Sequence, residues 1–217
     1  MSGKLTLYTA PTPNGHAIPI FLEELGVPYE TVAMSIKDSD IGKVHNQVKS
    51  PWYLEINPNG RIPAITHDGF NVFETSAILL YLAAEFDKEN KFGYNPSQSP
   101  KEYSELLQWI FFAHGGIGPM QGQAGHFLWA QEKIPYAQNR YVNETKRLFG
   151  VLETRLSKFD YLVGNKYTIA DIKTVTWVRK AGAFGIDLEK EFPKVKAWID
   201  RIEPRPAFQK GLQVPQQ

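Results

Sequence analysis

The fold is decided by the stretch Asn57-Pro58-Asn59-Gly60-Arg61-Ile62-Pro63-Ala64-Ile65, followed eleven residues after its last proline by Glu74-Thr75-Ser76-Ala77-Ile78-Leu79-Leu80-Tyr81-Leu82. Asn-Pro-Asn-Gly is a turn sequence, and Ile-Pro-Ala-Ile behind it begins a short apolar strand. Because proline cannot donate to a strand ladder, Pro63 belongs at a strand start, an edge or a bulge. A cis bond before Pro63 costs little, and it would turn the main chain of Ile62 outward, where an extended peptide can pair with it.

The helix that opens at Glu74-Thr75-Ser76 suits a ligand with two opposite charges. The N–H groups and the positive dipole end of a helix N-terminus attract a carboxylate, while Glu74 attracts an ammonium group. An α-amino acid head group carries both charges. Each piece alone is more often an ordinary turn or a capped helix, but the two together, at this spacing, favour a peptide-binding site.

These two pieces resemble the glutathione-binding half of the cytosolic glutathione transferases. The resemblance continues at the N-terminus, Leu5-Thr6-Leu7-Tyr8-Thr9-Ala10-Pro11-Thr12-Pro13-Asn14-Gly15-His16, whose Thr-Pro-Asn-Gly turn is similar to that of the fungal nitrogen-regulator (prion-like) subgroup and the bacterial nu class. It extends over nearly the whole chain. It implies an α+β protein with an N-terminal thioredoxin-like βαβ-ββα domain and a C-terminal all-α helical bundle, the glutathione transferase fold.

Composition and charge limit the classes of function that the protein can have. The chain has 217 residues, is 42% hydrophobic and carries a net charge of +1, which gives no argument for binding nucleic acid. Its start is not a signal peptide and no stretch has the length of a membrane span, so we expect a cytoplasmic protein that does not bind membranes. The sequence contains no cysteine, which excludes disulfides and thiolate metal sites. Any thiol chemistry must therefore use a thiol that the ligand brings.

Charge also changes along the chain. Residues 1–86 carry 5 Lys and Arg against 9 Asp and Glu, a net charge of −4, whereas residues 87–217 carry 19 against 14, a net charge of +5. Residues 87–100 have the composition of a linker. We therefore predict a thioredoxin-like glutathione-binding domain at 1–86, a linker at 87–100 and an all-helical domain at 101–217.

Periodicity predicts the elements of each domain. In the first domain the predicted strands are 4–8, 29–33, 64–66 and 71–73, and the predicted helices are 16–25 and 75–86. In the second, helices are predicted at 102–113, 135–156, from 168 onward and at 192–202. Gly115-Gly116 and Pro119 should break or kink the first of these, while Pro204 and Pro206 should end the helical order. The predicted helix 102–113 is apolar on several sides, which indicates either a core helix or a subunit interface.

The turn from Thr12 to His16 is the predicted catalytic position. A glutathione thiol with a pKa near 8.5 must be held as a thiolate, and a helix N-terminus lowers thiol pKa values. In the subgroup that this chain resembles, the position beside the sulfur is commonly Asn with a nearby Thr. The resemblance therefore implies that Asn14 donates its amide N–H to the thiolate and that Thr12 assists; plain N-capping by Asn14 is the alternative.

Two other residues near this turn compete for the catalytic role. Tyr8 lies on the first strand, where several glutathione transferase classes place an activating tyrosine; the alternative is packing in the core. His16 qualifies as a base by residue type alone, but its position in the first helical turn argues against that role.

The resemblance also implies the contacts of the tripeptide. Ile62 and Pro63 supply the main-chain partner of the cysteinyl unit, and Glu74 and Thr75 match the Glu-Ser pair that holds the γ-glutamyl head. Candidates for the glycyl carboxylate are Gln47, Lys49 and Arg61.

A further contact is implied in the helical half. The segment Tyr136-Ala137-Gln138-Asn139-Arg140-Tyr141 resembles a nu-class segment whose Arg approaches glutathione, and the Arg140 fork suits a carboxylate. A solvated helical Arg is the alternative. Helical aromatics are more often core, so none is assigned to an acceptor pocket.

The sequence thus predicts a homodimeric glutathione transferase that uses glutathione as co-substrate, without a metal, to reduce disulfides or to conjugate small electrophiles. The alternative is a glutathione-binding regulator or ligand carrier with little turnover. We favour the enzyme, because the regulator of the subgroup carries a long polar tail and this chain begins its first strand at residue 4.

Overall fold

The structure, a computed structural model, describes residues 3–215, and within them four β-strands and ten α-helices form two units. One unit comprises the described parts of Met1–Glu89 and Pro204–Gln217, and the other is Asn90–Glu203. The first boundary lies three residues from the predicted one. The predicted all-helical domain at 101–217 is too long, because residues 204–215 belong with the first unit.

The first unit contains a mixed sheet with the strand order β2-β1-β3-β4. The strands are β1 (Leu5–Thr9), β2 (Glu30–Ala33), β3 (Ala64–His67) and β4 (Phe70–Phe73). β1 pairs in parallel with β2 and antiparallel with β3, and β3 pairs antiparallel with β4. This is the predicted thioredoxin-like βαβ-ββα arrangement.

Three helices follow these strands, α1 (Pro13–Leu25), α2 (Pro51–Ile56) and α3 (Thr75–Phe86). α1 begins three residues before the predicted start, because Thr12 caps it: its Oγ1 accepts the Gly15 N–H at 3.0 Å. Asn14 is therefore the second residue inside the helix, and the capping role considered for it is wrong. Gly26 ends α1 with a φ of +66°, a conformation that glycine adopts without strain.

The chain returns to this unit through α10 (Pro206–Gly211), which packs against α1. A Cβ on Gly211 would lie 2.5 Å from the Ile20 backbone, so only glycine allows this close approach. Arg205 forms two bonds of 2.6 and 2.8 Å to the Glu24 carboxylate. The prediction that order ends at the prolines is wrong, because Pro206 occupies the first helical position, where its missing N–H costs nothing.

The second unit is built from helices alone. These are α4 (Pro100–Phe112), α5 (Gly118–Trp129), α6 (Pro135–Leu156), α7 (Ile169–Val178), α8 (Leu188–Glu191) and α9 (Pro193–Ile202). A π-helical turn, Ala113–Ile117, joins α4 to α5 at the predicted break. The bounds of α6 agree with the prediction.

The predicted linker at 87–100 is partly packed into this second unit. Phe92 and Gly93 are buried. The Phe92 carbonyl accepts the Ile169 N–H at 2.9 Å, and the Gly93 carbonyl accepts from the Lys166 Nζ at 2.6 Å. These bonds hold the segment on the start of α7.

The start of α7 is fixed by the predicted capping box. The Asp171 carboxylate accepts from the Thr168 N–H and Oγ1 at one oxygen, and from the Leu162 N–H and Trp198 Nε1 at the other, at 2.9 to 3.0 Å. Asp171 and Thr168 are fully buried. This side chain therefore ties α7, α9 and the loop before α7 together.

No helix within residues 3–215 combines the length and the apolar character needed to cross a membrane.

Candidate functional site

The register of the sheet brings three loops of the first unit to one end of it. Tyr8 lies opposite Ala64, so the turn after β1 is next to the residues that precede β3. Ala64 also lies opposite Phe73, so the start of α3 is beside the same strand start. The N-terminus of α1, the Ile62–Pro63 bond and the Glu74–Thr75 pair therefore converge at this end.

The first turn of α1 is pressed against the end of β1. A Cβ on Gly15 would collide with the Ala10 carbonyl oxygen, and the Thr9 Oγ1 donates to the Gly15 carbonyl at 2.9 Å. Thr12 and Asn14 are both half-buried at this turn. Since the Thr12 Oγ1 accepts from Gly15, its own hydrogen is left to donate to a ligand. The helix N-terminus adds N–H groups and a positive dipole end.

The Asn57–Gly60 turn is held by its own side chains. The Asn57 Oδ1 accepts the Asn59 N–H at 3.0 Å, and its Nδ2 donates to the Arg61 carbonyl at 2.7 Å. The Tyr53 hydroxyl donates to the same carbonyl at 2.7 Å. Burial raises the Tyr53 pKa, so the phenol keeps its proton and remains a donor. The main chain that leads into Ile62 is thereby fixed.

Ile62 precedes Pro63 through a cis peptide bond, as the sequence admits. Pro63 is buried, whereas Ile62 is half-buried. β3 starts directly afterwards, which confirms that the proline stands at a strand start.

Glu74 has an unusual backbone, with φ at +72° and ψ at 119°. A non-glycine residue in this region costs roughly 1–3 kcal/mol, and such residues cluster at functional sites. The Asn59 Nδ2 lies 3.5 Å from the Glu74 Oε1, which links the turn before β3 to the start of α3. Thr75 is the first residue of α3 and is buried, so Glu74 stands exposed beside a helix N-terminus.

The three residues considered for the glycyl carboxylate differ in exposure and in their hydrogen bonds. Gln47 is 1% exposed, and its amide accepts from the Lys49 N–H and donates to the Lys37 carbonyl. It therefore shapes the loop from inside. Lys49 and Arg61 are exposed. The Lys49 Nζ donates to the Asn59 carbonyl at 3.0 Å, and its stem covers Gly60.

Tyr8 packs into an aromatic cluster on the α2 side of the sheet. Its ring lies 6.0 Å from the Trp52 ring and 5.8 Å from the Tyr53 ring, measured between centroids. This arrangement agrees with the packing interpretation of Tyr8. His16 lies in the first turns of α1 and its N–H donates to the Thr12 carbonyl at 2.9 Å, as part of the helix.

Arg140 belongs to the second unit, on α6. Its side chain is exposed, and no ion pair between described residues involves it. It lines a cavity of about 480 Å³ together with Tyr136, Glu144 and Arg147. Arg147 binds Glu144 through two bonds of 2.7 and 2.8 Å, and this bonding lowers the Glu144 pKa. Arg140 forms no such ion pair with a described residue, although its charge adds to the lowering of the Glu144 pKa.

Sequence reasoning missed two features of this site. Asn59 was assigned to a turn only, and its contact with Glu74 depends on the sheet register. The positive φ of Glu74 has no sequence signal, because Glu is not a residue that favours it. The Asn57 side-chain bonds, by contrast, are those that Asn commonly makes in turns. Within residues 3–215 no group of three or more His, Asp or Glu side chains is placed to hold a metal ion.

Two family models match the chain. Residues 3–84 match the glutathione S-transferase N-terminal domain, and residues 124–206 match the C-terminal domain of the same family. Both the fold class and the family expected from the sequence are confirmed.

Curated relatives match over nearly the full length. The disulfide-bond oxidoreductase YfcG of Escherichia coli is 43% identical over 96% of this chain and 94% of its own. Glutathione S-transferase 1 of Schizosaccharomyces pombe is 38% identical over 90% of this chain and 89% of its own. The protein URE2 of Meyerozyma guilliermondii is 31% identical over 92% of this chain and 76% of its own.

Solved structures agree with these relatives. A glutathione transferase homolog from Lodderomyces elongisporus, with two glutathione molecules per subunit, is 41% identical, with a TM-score of 0.88 over 98% of this chain and 99% of that one. The glutathione transferase URE2P6 from Phanerochaete chrysosporium, in complex with oxidized glutathione, is 40% identical, with a TM-score of 0.87 over 97% and 96%. With both domains matched and relatives this similar along nearly their whole length, the chain belongs to the glutathione S-transferase family.

Proposed function

We propose that this protein binds glutathione at the end of the sheet where α1, the Ile62–Pro63 bond and α3 converge, and that it uses the bound thiolate to reduce disulfides. The observation that carries this proposal is the convergence itself. It combines a helix N-terminus for a thiolate, a main-chain segment for an extended peptide and an acid beside a second helix N-terminus for an amino acid head group. No cysteine in the chain competes with the thiol of the ligand.

Asn14 and Thr12 stabilise the thiolate. Thr12 caps α1 and Asn14 lies in its first turn, where the helix dipole already favours a negative charge. Neither side chain takes the proton of the thiol. They donate hydrogen bonds to the sulfur, as the donors of an oxyanion hole do, and so lower its pKa.

The tripeptide lies across the other two loops. The main chain of Ile62 pairs with the cysteinyl unit, next to Pro63. Glu74 binds the ammonium of the γ-glutamyl head, and the start of α3 at Thr75 binds its carboxylate. The glycyl carboxylate is held by Lys49 or Arg61, whose charged ends are exposed, rather than by the buried Gln47.

Arg140 binds a carboxylate of glutathione or of glutathione disulfide. Its exposure and the absence of an ion pair among the described residues support this role. The Lodderomyces elongisporus homolog holds two glutathione molecules per subunit, which supports a second carboxylate site in this family.

The reaction needs two thiolates in succession. The bound glutathione thiolate attacks one sulfur of a disulfide, a mixed disulfide forms and the other sulfur leaves as a thiolate that takes a proton. A second glutathione thiolate then attacks the mixed disulfide at the glutathione sulfur, which yields oxidised glutathione and the second reduced thiol. The name of the YfcG relative and the oxidized glutathione in the URE2P6 structure support this reaction over conjugation.

The test is to compare two activities on one preparation. Reduction of bis(2-hydroxyethyl) disulfide by glutathione is followed through glutathione reductase and NADPH, and conjugation of an aryl halide is measured in parallel. We expect strong disulfide turnover and weak conjugation. The reverse ratio would assign the protein to conjugation and direct attention back to Tyr8. Glutathione binding with neither activity would make it a regulator or carrier, a function that the enzyme names of the more similar relatives do not favour.

A homodimer is part of this proposal. The edge strand β4 exposes 60% of Phe70 and 38% of Phe73, and α4 exposes 58% of Phe111. Exposed aromatics at a sheet edge and on a helix face favour contact with a second copy. A cytoplasmic location stays a prediction from the sequence.

A further inference from the structure

The outer edge of β2 presents main-chain groups that no other strand covers within residues 3–215. The Met34 N–H donates to the Thr9 carbonyl at 2.8 Å, so Met34 turns its main-chain groups toward β1. Because neighbouring residues of a strand point these groups to opposite sides, Thr31 and Ala33 turn theirs away from β1. β2 is the edge of the sheet, and both residues are exposed.

Ser35 is the next residue whose main-chain groups turn away from β1, and it shows that this edge binds an extended segment. Its N–H donates to the Asn46 carbonyl at 2.7 Å, and its carbonyl accepts the Val48 N–H at 3.0 Å. These bonds form a short parallel bridge between Ser35 and Gln47. The chain thus already adds one strand residue to the edge and then stops before Ala33.

A cavity of about 650 Å³ adjoins the open part of the edge. Its lining includes the strand residues Thr31 and Ala33, the preceding Tyr29, Glu23 at the end of α1, and Lys210 and Val214 of the C-terminal segment. Its volume is in the range of ligand pockets. It is separated from the predicted thiolate position by α1, whose 13 residues span about 20 Å.

The cavity is lined by an ion pair whose carboxylate is sheltered and whose ammonium is exposed. Glu23 is 13% exposed, and its Oε1 accepts from the Tyr29 hydroxyl at 3.0 Å. Burial and this carboxylate raise the Tyr29 pKa, so the hydroxyl stays a donor. The Glu23 Oε2 pairs with the Lys210 Nζ at 2.5 Å, but the Lys210 side chain is 71% exposed. A cationic side chain of a ligand can therefore replace the exposed Lys210 ammonium at the sheltered Glu23 carboxylate.

We propose that the open edge of β2 and this cavity bind an extended peptide segment that carries a basic side chain. The segment adds a strand, and its N–H and carbonyl groups pair with those of Thr31 and Ala33. Its Lys or Arg enters the cavity, with the aliphatic stem against Val27, Val214 and Pro215 and the charge on Glu23 in place of Lys210. The occupant is a basic partner segment, because the sheltered charge of the pair is the Glu23 carboxylate and the Lys210 side chain that it would displace is mostly exposed.

The probe is a fluorescein-labelled peptide, Val-Thr-Lys-Thr-Val-Thr with blocked ends, titrated with the whole protein by fluorescence anisotropy. We expect saturable binding with a Kd below about 1 mM. Two control peptides share its composition in all but one respect. One has Glu in place of Lys, and the other has N-methyl groups on alternate residues, which remove the donors of one edge. Both should bind at least about fivefold more weakly.

Three variants locate the site. Ala33→Pro removes only an N–H that faces outward, since proline is tolerated at sheet edges, and it should weaken binding about fivefold. Glu23→Gln should weaken binding of the Lys peptide, whereas Lys210→Ala should strengthen it, because the competing cation is gone. For the Glu peptide the effect of Lys210→Ala should be the reverse. Glutathione titrations should be the same for all three variants, which shows that each has folded.

Several results would overturn the proposal. Equal binding of the N-methylated and parent peptides would mean that the peptide main chain does not pair with the β2 edge. This result does not depend on any variant folding. Absence of saturable binding of the Lys peptide would reject the site. If Ala33→Pro instead changes the oligomeric state without peptide, measured by sedimentation, the edge pairs with a second copy of this chain.

Discussion

At the scale of single residues, the proposed site depends on a few side chains whose neighbours hold them in place. Thr12 caps α1, Gly15 lets the helix approach β1 and Asn59 reaches Glu74. Only some of these residues are proposed to touch glutathione. The variants that test them must therefore separate contact with the ligand from support of the fold.

Asn14→Ala should raise the pKa of the bound glutathione thiol by about one unit, because the thiolate loses one hydrogen-bond donor. Glutathione affinity at a pH where the thiol is protonated should stay within a few-fold. The measurement is a pH titration of thiolate absorbance on the bound complex. Thr12→Val is the matched comparison, since it should also destabilise the protein by about 1 kcal/mol through loss of the cap. An unaltered titration curve for Asn14→Ala would remove Asn14 from the catalytic role.

Glu74→Ala and Glu74→Gly should weaken glutathione binding equally, by about tenfold or more, since both leave the ammonium of the γ-glutamyl head unpaired. They should differ in stability. Glycine accepts a φ of +72° without the cost that other residues meet, so Glu74→Gly should exceed Glu74→Ala in free energy of unfolding by about 1 kcal/mol.

Calorimetry and urea unfolding measure the two effects separately. A glutathione analogue without the amino group is the ligand control, and it should bind all three proteins alike. If it distinguishes them, the γ-glutamyl ammonium is bound elsewhere.

At the scale of elements, sequence patterns predicted most of the helices and strands but not all of their ends. α6 was predicted with its observed bounds, because Pro135 suits a first helical position and a long amphipathic period follows. α1 was not, because Thr12, Asn14 and the prolines near them offer several capping arrangements. Which one forms depends on the approach of Gly15 to Ala10, a contact between elements that a local pattern does not contain.

The close approach of Gly15 to Ala10 makes Gly15→Ala a strong test of how α1 packs against the end of β1. The added methyl group collides with the Ala10 carbonyl oxygen, so the helix must move or the protein loses about 2 kcal/mol or more. Glutathione-dependent turnover should fall as well, because Thr12 and Asn14 move with the helix. Gly150→Ala on α6 is the matched control: nothing lies within 4 Å of its added Cβ, and the protein should gain about 0.5–1 kcal/mol. Equal unfolding free energies for the two variants would contradict this account of α1.

Asp171 gives the helical unit a pH-dependent stability. Burial raises its pKa from 3.8 to about 6, against the four hydrogen bonds that lower it. Between these two values the folded protein keeps a proton that the unfolded chain loses, so the contribution of Asp171 to stability falls as pH rises from about 4 to 6. Above pH 6 its contribution is constant.

Asp171→Asn should remove this trend, because the amide does not titrate. The difference in unfolding free energy between wild type and Asp171→Asn should therefore shrink by about 2–3 kcal/mol from pH 4 to pH 6 and stay level above it. Asp171→Ala should cost about 3 kcal/mol or more at neutral pH, since buried donors on Leu162, Thr168 and Trp198 lose their acceptor. A pH-independent difference for Asp171→Asn would show that the carboxylate is charged throughout this range.

At the scale of the whole molecule, the fold class and the family followed from the sequence, but the grouping of the chain into units did not. The second unit was expected to continue to residue 217, with its helical order ending at the prolines at 204 and 206. The return of α10 to α1 depends on Gly211 meeting the Ile20 backbone and on Arg205 meeting Glu24, contacts between residues more than 180 positions apart. No local pattern reports a contact of that range.

The proposed dimer is also a property at this scale. Phe70→Glu places a charge on the most exposed aromatic of β4, where a second copy would have to bury it without a partner. We expect sedimentation velocity to show a shift toward monomer, with circular dichroism unchanged. Phe159→Glu is the control, a partly exposed aromatic on the second unit outside β4 and α4, and it should leave the association state as it is. A dimer that survives Phe70→Glu would remove β4 from the interface.

The return of α10 has a consequence for the order in which the protein is made. On the ribosome, residues 90–203 are complete before residues 204–215 emerge, so the helical unit has all of its chain first. The unit proposed to hold glutathione, although its strands are synthesised at the outset, waits for the last segment to cover Ile20 and pair with Glu24. A nascent chain stalled before residue 204 would therefore carry a finished second unit and an unfinished first one.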